Sequence, residues 1–367
     1  MKILFLTPYV PSKRAGGENF TRQLLIDLSR ENKIDLIYYK YAADDTYVSP
    51  SDNIRVLKVL NNSNKIKLLN YLKKPFMHPI FNIRFSNSLL SYIKSMITKE
   101  SYDIIYLDHS QMFLYGKYLK NVPKIMMAHD VMGQRYDRQG NTIMKKMILS
   151  TEGKLMRLPN TTVFSFSSKD KYIIKQLYGV DSMVTHFYLD DMVIKATPIH
   201  IENRLIFFGK WKRADNYDGL VWFFENVYQK INSDIKISII GGWLPEDFQI
   251  KYCVKNKVEY LGFVDNPYQL ISNSIAVLSP LFSGAGVKVK VVESLACGTP
   301  VIGNNIAFEG IGKEFSQFMM YANSAEEYVS QISKLLSFGI EERLKYKVNF
   351  LHRYAQNSIT DYLKQNF

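Results

Sequence analysis

Residues 279–304, SPLFSGAGVKVKVVESLACGTPVIGN, carry the pattern on which the fold of this chain turns. An apolar run, IAVLSPL (275–281), breaks at Pro280. A loop follows, Ser283-Gly284-Ala285-Gly286, and then helix-period apolar residues from Val291 to Cys297, with Gly298 closing the helix before TPVIGN (299–304). Strand, glycine loop, helix and strand make one repeat of a parallel α/β sheet. The glycines let the backbone approach a ligand, and the first amides of the helix attract anions. Lys288 and Lys290 add full positive charge, and Glu293, one turn beyond Lys290, shares its face. Cations facing phosphates and a carboxylate facing ribose hydroxyls suggest a nucleoside diphosphate. The plainer alternative is a surface ion pair on an ordinary crossover helix.

The same alternation runs through the rest of the chain. KILFLTPY (2–9) leads through Pro11 and Gly16-Gly17 into FTRQLLIDLS (20–29), which has helical period. KIDLIYYKY (33–41), YDIIYLD (102–108), KIMMAHD (124–130) and TTVFSFS (161–167) continue as buried strands. The pattern restarts with RLIFFGK (204–210), KISIIGG (236–242), VEYLGF (258–263), IAVLSPL and TPVIGN. Two α/β, doubly wound, Rossmann-like domains follow, with ligands expected beyond the C-terminal strand ends. The predicted boundaries are 1–189 for the first domain, 190–203 for a polar, proline-containing linker and 204–345 for the second domain. A C-terminal helix over 346–367 is expected to pack back on the first domain.

The chain has 367 residues, enough for two domains with cores of their own. Its 47% hydrophobic and 22% charged residues exclude disordered and fibrous classes. Two distant cysteines, Cys253 and Cys297, and an N-terminus that runs straight into a strand fit a cytoplasmic location. Lys or Arg interrupts every long apolar segment, so contact with a membrane would be peripheral. The net charge of +13 is uneven. Residues 53–99 contain no acid, while Arg55, Lys58, Lys65, Lys67, Lys73, Lys74, Arg84, Lys94 and Lys99 alternate with Leu, Ile, Tyr and Phe. This reads as a basic amphipathic surface suited to anionic lipid, or as a solvated face without a partner.

Several segments taken in order resemble the GT-B glycosyltransferases of the large retaining group called family 4. They are PYVPSKRAGGENFTRQLLIDLS, FFGKWKRADNYDGLVWFFENV, LGFVDNPYQLISNSIAVLSP, and the glycine-rich segment with Lys290, Glu293, Ala296, Gly298 and Pro300. The resemblance implies two domains facing across a cleft, and transfer of a sugar from a UDP-, GDP- or dTDP-linked donor to a glycan, lipid-linked or protein acceptor. Its setting would be bacterial-type cell-surface polysaccharide or glycoconjugate synthesis. It carries donor contacts onto Gly16, Gly17, Gly209, Lys210, Asn216, Phe263, Val264, Gly284, Gly286, Lys288, Lys290 and Glu293. His129, with Asp130, is placed at the sugar as the catalytic pair, and Arg135 and Arg138 could meet an acidic acceptor. Two positions depart from the family pattern. Ala285 stands where many members have a second glutamate, and Asn216 replaces a phosphate-binding lysine.

No Asp-x-Asp triplet or His/Cys cluster with ligand spacing implies a metal, and no cofactor beyond the co-substrate is called for. A nicotinamide oxidoreductase is disfavoured, since neither domain's first strand is followed by G-x-G-x-x-G. A nucleotide-sugar epimerase of the same fold and a non-enzymatic basic binder of membrane or nucleic acid are the remaining alternatives. The absence of a known nucleic-acid module counts against nucleic acid.

Overall fold

The structure, a computed structural model, describes residues 1–14, 16–73, 77–134, 142–253, 257–284, 286–354 and 359–367. The chain forms two compact units, Met1–Tyr188 with Asn357–Phe367, and Leu189–Gln356.

The first unit is built on a parallel sheet of seven strands among the described residues. They are β1 (Lys2–Thr7), β2 (Lys33–Lys40), β3 (Ile54–Asn61), β4 (Ile104–Asp108), β5 (Lys124–Ala128), β6 (Thr161–Ser165) and β7 (Met183–Val184), in the spatial order β3-β2-β1-β4-β5-β6-β7. Ile3, Leu4, Phe5 and Leu6 of β1 are wholly buried, as a central strand covered on both faces requires. The helix Gly16–Leu28 turns Phe20, Leu24, Leu25 and Leu28 inward, one face of a 3.6-residue period. Strand order reverses between β1 and β4, so the loops after these two strands open the crevice where open α/β sheets bind ligands.

The second unit repeats the plan with β8 (Glu202–Phe208), β9 (Lys236–Ile240), β10 (Val258–Gly262), β11 (Ser274–Ser279), β12 (Val301–Gly303) and β13 (Met319–Tyr321), ordered β10-β9-β8-β11-β12-β13. Its switch point lies between β8 and β11. The helix Ala214–Asn226 passes so close to the end of β11 that a Cβ on Gly219 would fall 1.7 Å from the Pro280 carbonyl oxygen. Only glycine fits there.

The segment expected as a linker, 190–203, is packed into the second unit. Asp190 caps the short helix Asp191–Lys195, and Lys347 donates to the carbonyls of Ile194 and Ala196. Among the described residues the C-terminal region carries two helices. Ile340–Tyr354 lies in the second unit, where buried Arg343 donates to the carbonyls of Ser274 (2.6 Å) and Ile275 (2.9 Å). Ile359–Asn366 lies in the first unit. There the Tyr362 and Thr162 hydroxyls meet at 2.8 Å, and Lys364 pairs with Glu31 at 2.8 Å. Arg343 holds the helix Ile340–Tyr354 in the second unit, its guanidinium bonded to carbonyls at the start of β11.

Candidate functional site

In the second unit the groups that matter cluster where β8 and β11 end. Gly209 follows β8, and its missing Cβ leaves room for the Asn216 amide, which would stand 3.1 Å away. Asn216 donates to the Lys210 carbonyl (3.1 Å) and accepts from Lys290 Nζ (2.9 Å). The side chain at a position where the resemblance expects a lysine therefore ties two lysine segments together. Lys210 Nζ sits 4.6 Å from the centroid of the exposed Trp243 ring. Gly284 (φ 116°) and Gly286 (φ 72°) occupy left-handed backbone that side chains rarely adopt. Their turn brings Lys288 Nζ to the Gly286 carbonyl (2.6 Å) and within 3.8 Å of Glu309. Lys288 then starts the helix Val289–Ala296, whose first amides receive no side-chain cap.

The electrostatics follow from this packing. Burial chiefly, with Arg213 and Lys288 adding to it and Asp215 opposing, brings Lys290 down to about 8. Asp215 pairs with Arg213 at 2.6 Å, and although burial works against it, Arg213, Lys290 and Lys288 hold its carboxyl below the usual range. The cations Lys210, Arg213, Lys288 and Lys290 thus outnumber the carboxylates Asp215 and Glu309. Glu293, one turn on, is buried, and burial lifts it to about 7 even though the Tyr268 hydroxyl donates to it. Phe263 and Val264 follow β10 at the sheet edge, with β9 between them and β8, and Phe263 is exposed.

In the first unit a second constellation forms where β4 and β5 end. Asp108 is wholly buried and accepts from Thr7 Oγ1 (2.8 Å), Thr21 Oγ1 (2.6 Å) and His129 Nε2 (2.7 Å). Burial alone would raise its carboxyl. The two histidines and the bonds from His129 and Thr21 outweigh it and hold Asp108 well below the carboxylate range. His109 stacks on His129 with ring centroids 3.4 Å apart and planes 12° from parallel. Its backbone, at φ 58° and ψ 154°, lies in a region nearly reserved for glycine. Burial pushes His109 far below the usual imidazole range. Gly17 closes the group, because a Cβ there would stand 3.1 Å from His109 Cε1 and 3.2 Å from His129 Nδ1. Gly16 begins the same helix, and Asp130 follows His129 directly.

Asp108, His109 and His129 are the one group of metal-ligand side chains found close together among the described residues. The imidazole planes run side by side, so their in-plane lone pairs do not converge on a common point, and the pair suits stacking rather than shared coordination.

The predicted residues thus fall into two groups, with Phe263 and Val264 apart, while Arg135, Arg138 and Ala285 lie outside the described residues. Sequence reasoning missed Asp108, His109, Thr21, Asp215 and Tyr268. The signal for the first two was present: LDH (107–109) and AHD (128–130) both end apolar runs in an Asp and His pair.

Comparison with known proteins bears directly on the second unit. Residues 202–337 match the family model of the group 1 glycosyl transferases. A curated relative, an uncharacterized 44.6 kDa protein of the cps region of Klebsiella pneumoniae, is 25% identical over 138 residues, which are 35% of this chain. The match spans about a third of that relative's length, 36%. Among solved structures, sucrose-phosphate synthase from Thermosynechococcus elongatus has a TM-score of 0.70 at 15% identity, covering 96% of this chain and 94% of that one. HepE from Anabaena, crystallised with UDP, has a TM-score of 0.67 at 15% identity, covering 96% of each. These likenesses fix the GT-B type of fold. No helix among the described residues is long and apolar enough to cross a membrane.

Proposed function

We propose that the protein transfers a sugar from a nucleoside diphosphate donor to an acceptor, with the donor's diphosphate held by the second unit of the group 1 glycosyl transferase fold. The observation that carries this reading is Asn216 at the switch point of the sheet, which bonds the Lys210 carbonyl and the Lys290 ammonium, with Lys288 near enough to Lys290 to lower it. Charge grows on a nucleoside diphosphate as it leaves, and positioned ammonium groups lower the barrier by meeting it. Glu293 would accept from the ribose, and Gly284 and Gly286 would let the backbone approach the phosphates. UDP is the first ligand to test, because HepE binds it. We take retention of configuration from the resemblance to family 4, and the cps-region relative supports a role in surface polysaccharide synthesis. A thermal-shift screen of UDP, GDP, dTDP and their sugars tests the reading: at least one nucleotide should raise the melting temperature, and a flat response to all would refute it.

We propose His129 and Asp130, beside Asp108 in the first unit, as the catalytic pair.

A specific observation also favours a cytoplasmic protein bound peripherally to anionic membrane, where lipid-linked acceptors reside. The helix Asn64–Lys73 buries none of its residues, and Leu68, Leu69 and Leu72 are 60%, 54% and 64% exposed beside Lys65 and Lys73. Two of the basic residues expected on this surface serve the fold instead. Arg84 is buried on the Asn62 side chain, and Arg55 pairs with Asp35 and Glu100. Each remaining Lys near an anionic surface adds about 1 kcal/mol of attraction. Sedimentation with phosphatidylglycerol vesicles at low salt should deplete the protein from solution, and Leu68→Ser with Leu72→Ser should restore it. Equal recovery with and without vesicles would contradict the assignment.

A further inference from the structure

We infer that Arg84 is a phosphate-binding residue of the first unit, where the N–H groups that the fold leaves it hold a phosphate of the acceptor. Residues 53–99 contain no acid, and their two arginines meet opposite surroundings. Arg55 pairs with Asp35 and Glu100. Arg84 is only 4% exposed, and among the described residues no carboxylate pairs with it. Its Nε donates to Asn62 Oδ1 (3.1 Å) and its Nη2 to the Tyr41 hydroxyl (3.2 Å), both neutral acceptors. Nη1 makes no hydrogen bond among the described residues, yet it is not sealed from solvent. Beside it the Asn62 amide nitrogen is buried without a partner, so donors outnumber acceptors here. A buried guanidinium without a counter-charge is costly, and an anion that reaches it removes the cost. Phosphate offers oxygens in the arrangement a guanidinium matches.

The position in the sheet is one where ligands bind. Tyr9, Tyr41, Asn62 and Gln111 follow β1, β2, β3 and β4 at their C-terminal ends, and Arg84 reaches across them, its guanidinium carbon 4.6 Å from the Tyr9 ring centroid. Gln111 holds the Tyr9 hydroxyl at 3.1 Å. The Arg84 backbone is fixed, because its carbonyl accepts from the hydroxyls of Tyr39 (2.5 Å) and Tyr115 (3.0 Å). The helix Asn64–Lys73, with its exposed leucines, is fastened to the same segment: the Asn70 amide donates to the Phe85 carbonyl at 2.7 Å, and Lys67 Nζ lies 5.0 Å from the Tyr41 ring centroid. Two carriers suit this neighbourhood, a lipid whose chain lies beside Leu68 and Leu72 and a soluble sugar phosphate. The acceptor role rests on the proposed glycosyl transfer; the phosphate site does not.

Arg84-Phe85 is the one Arg-Phe pair in the sequence, so the full chain labelled with ¹³C-carbonyl arginine and ¹⁵N-phenylalanine gives a single carbonyl–amide correlation, at the Phe85 amide. Millimolar inorganic phosphate should move this signal along a saturating curve in the wild-type protein and leave it in place in Arg84→Gln. Arg84→Lys, which keeps the charge, should recover part of the shift. A wild-type signal that stays still would overturn the inference whether or not the variants fold, and so would an equal shift in folded Arg84→Gln. Two arms separate the carriers: a hexose 1-phosphate in solution, and phosphatidylcholine vesicles doped with phosphatidic acid and read by sedimentation. Arg84→Gln should weaken binding roughly ten- to hundred-fold in at least one arm, the value of a charged hydrogen bond. Loss in the vesicle arm assigns a lipid-linked acceptor, loss in the sugar arm a soluble one, and loss in both a phosphate read without its carrier. Unchanged binding in both arms would overturn the acceptor role. Failure of the glycosyl-transfer reading shows separately, as absence of nucleotide binding.

Discussion

The two units place polar side chains at the same topological point and use them in opposite ways. In the first, Asp108 is surrounded by donors from Thr7, Thr21 and His129, and the carboxylate's hydrogen bonds are balanced inside the cluster. In the second, ammonium groups are crowded together with fewer carboxylates, and burial makes Lys290 easier to deprotonate than a free lysine. A balanced cluster holds geometry. An unbalanced one gains when an anion arrives, because the ligand removes a cost that the folded protein otherwise carries. On that difference we propose the second unit for diphosphate binding.

The largest expected effect follows from breaking the unbalanced site. Lys290→Ala should weaken nucleoside diphosphate by roughly ten- to over a hundred-fold and leave the nucleoside nearly unchanged. Calorimetric titration with UDP and uridine reads both; equal losses for the two would shift Lys290 away from the phosphates. The same substitution should not lower the melting temperature at pH 7, since it removes a charge whose burial is unfavourable.

Breaking the balanced site should act on rate. His129→Ala should lower turnover by about ten-fold, the value of one neutral hydrogen bond, and keep nucleotide affinity. A pure affinity loss in steady-state and binding assays would contradict the division of labour. A smaller effect is expected at Glu293, where Gln keeps the shape and loses the acceptor charge. Nucleoside and diphosphate should weaken together by a few-fold, roughly 1 kcal/mol, and the 2′-deoxy analogue less. If the deoxy analogue weakens as much, Glu293 does not meet that hydroxyl. Smallest in function is Thr21→Val, which removes a donor to buried Asp108. It should cost about 1–2 kcal/mol of stability in denaturant melts and leave UDP affinity unaltered.

Most of the fold was legible because the central strands are continuous apolar runs bounded by Gly, Pro and Asp. β3 was not read as a strand: it is a sheet edge with Arg55, Val56 and Lys58 partly or fully exposed, so its sequence lacks the buried-strand signature. β7 and β13, of two and three residues, are too short for any period to show. The assignment of Ile340–Tyr354 to the second unit and Ile359–Asn366 to the first was hidden because both segments are amphipathic. The fate of Arg343 and Lys347, two cations satisfied by backbone carbonyls distant in sequence, depends on tertiary contacts. At the site, loop chemistry and single residues such as Lys290 and His129 could be named from local pattern. Their partners Asp108 and Asn216 lie 21 and 74 residues away, and only the sheet order joins them.

The pH dependence of diphosphate binding tests the central claim most directly. Lys290 has a folded value of about 8 against an ordinary 10.5, so below pH 8 its charge costs folding stability, and that cost disappears as pH rises. A diphosphate favours the charged form and raises that value, so binding near pH 8 must take up a proton, and affinity must fall as pH climbs past about 8. Calorimetry of the wild-type protein with UDP, in two buffers of different ionisation enthalpy, measures both quantities from pH 7 to 9.5. The account predicts net proton uptake centred between pH 8 and 9, weaker binding at the upper end, and loss of the uptake in Lys290→Ala. Binding with no proton uptake and constant affinity across that range would contradict it.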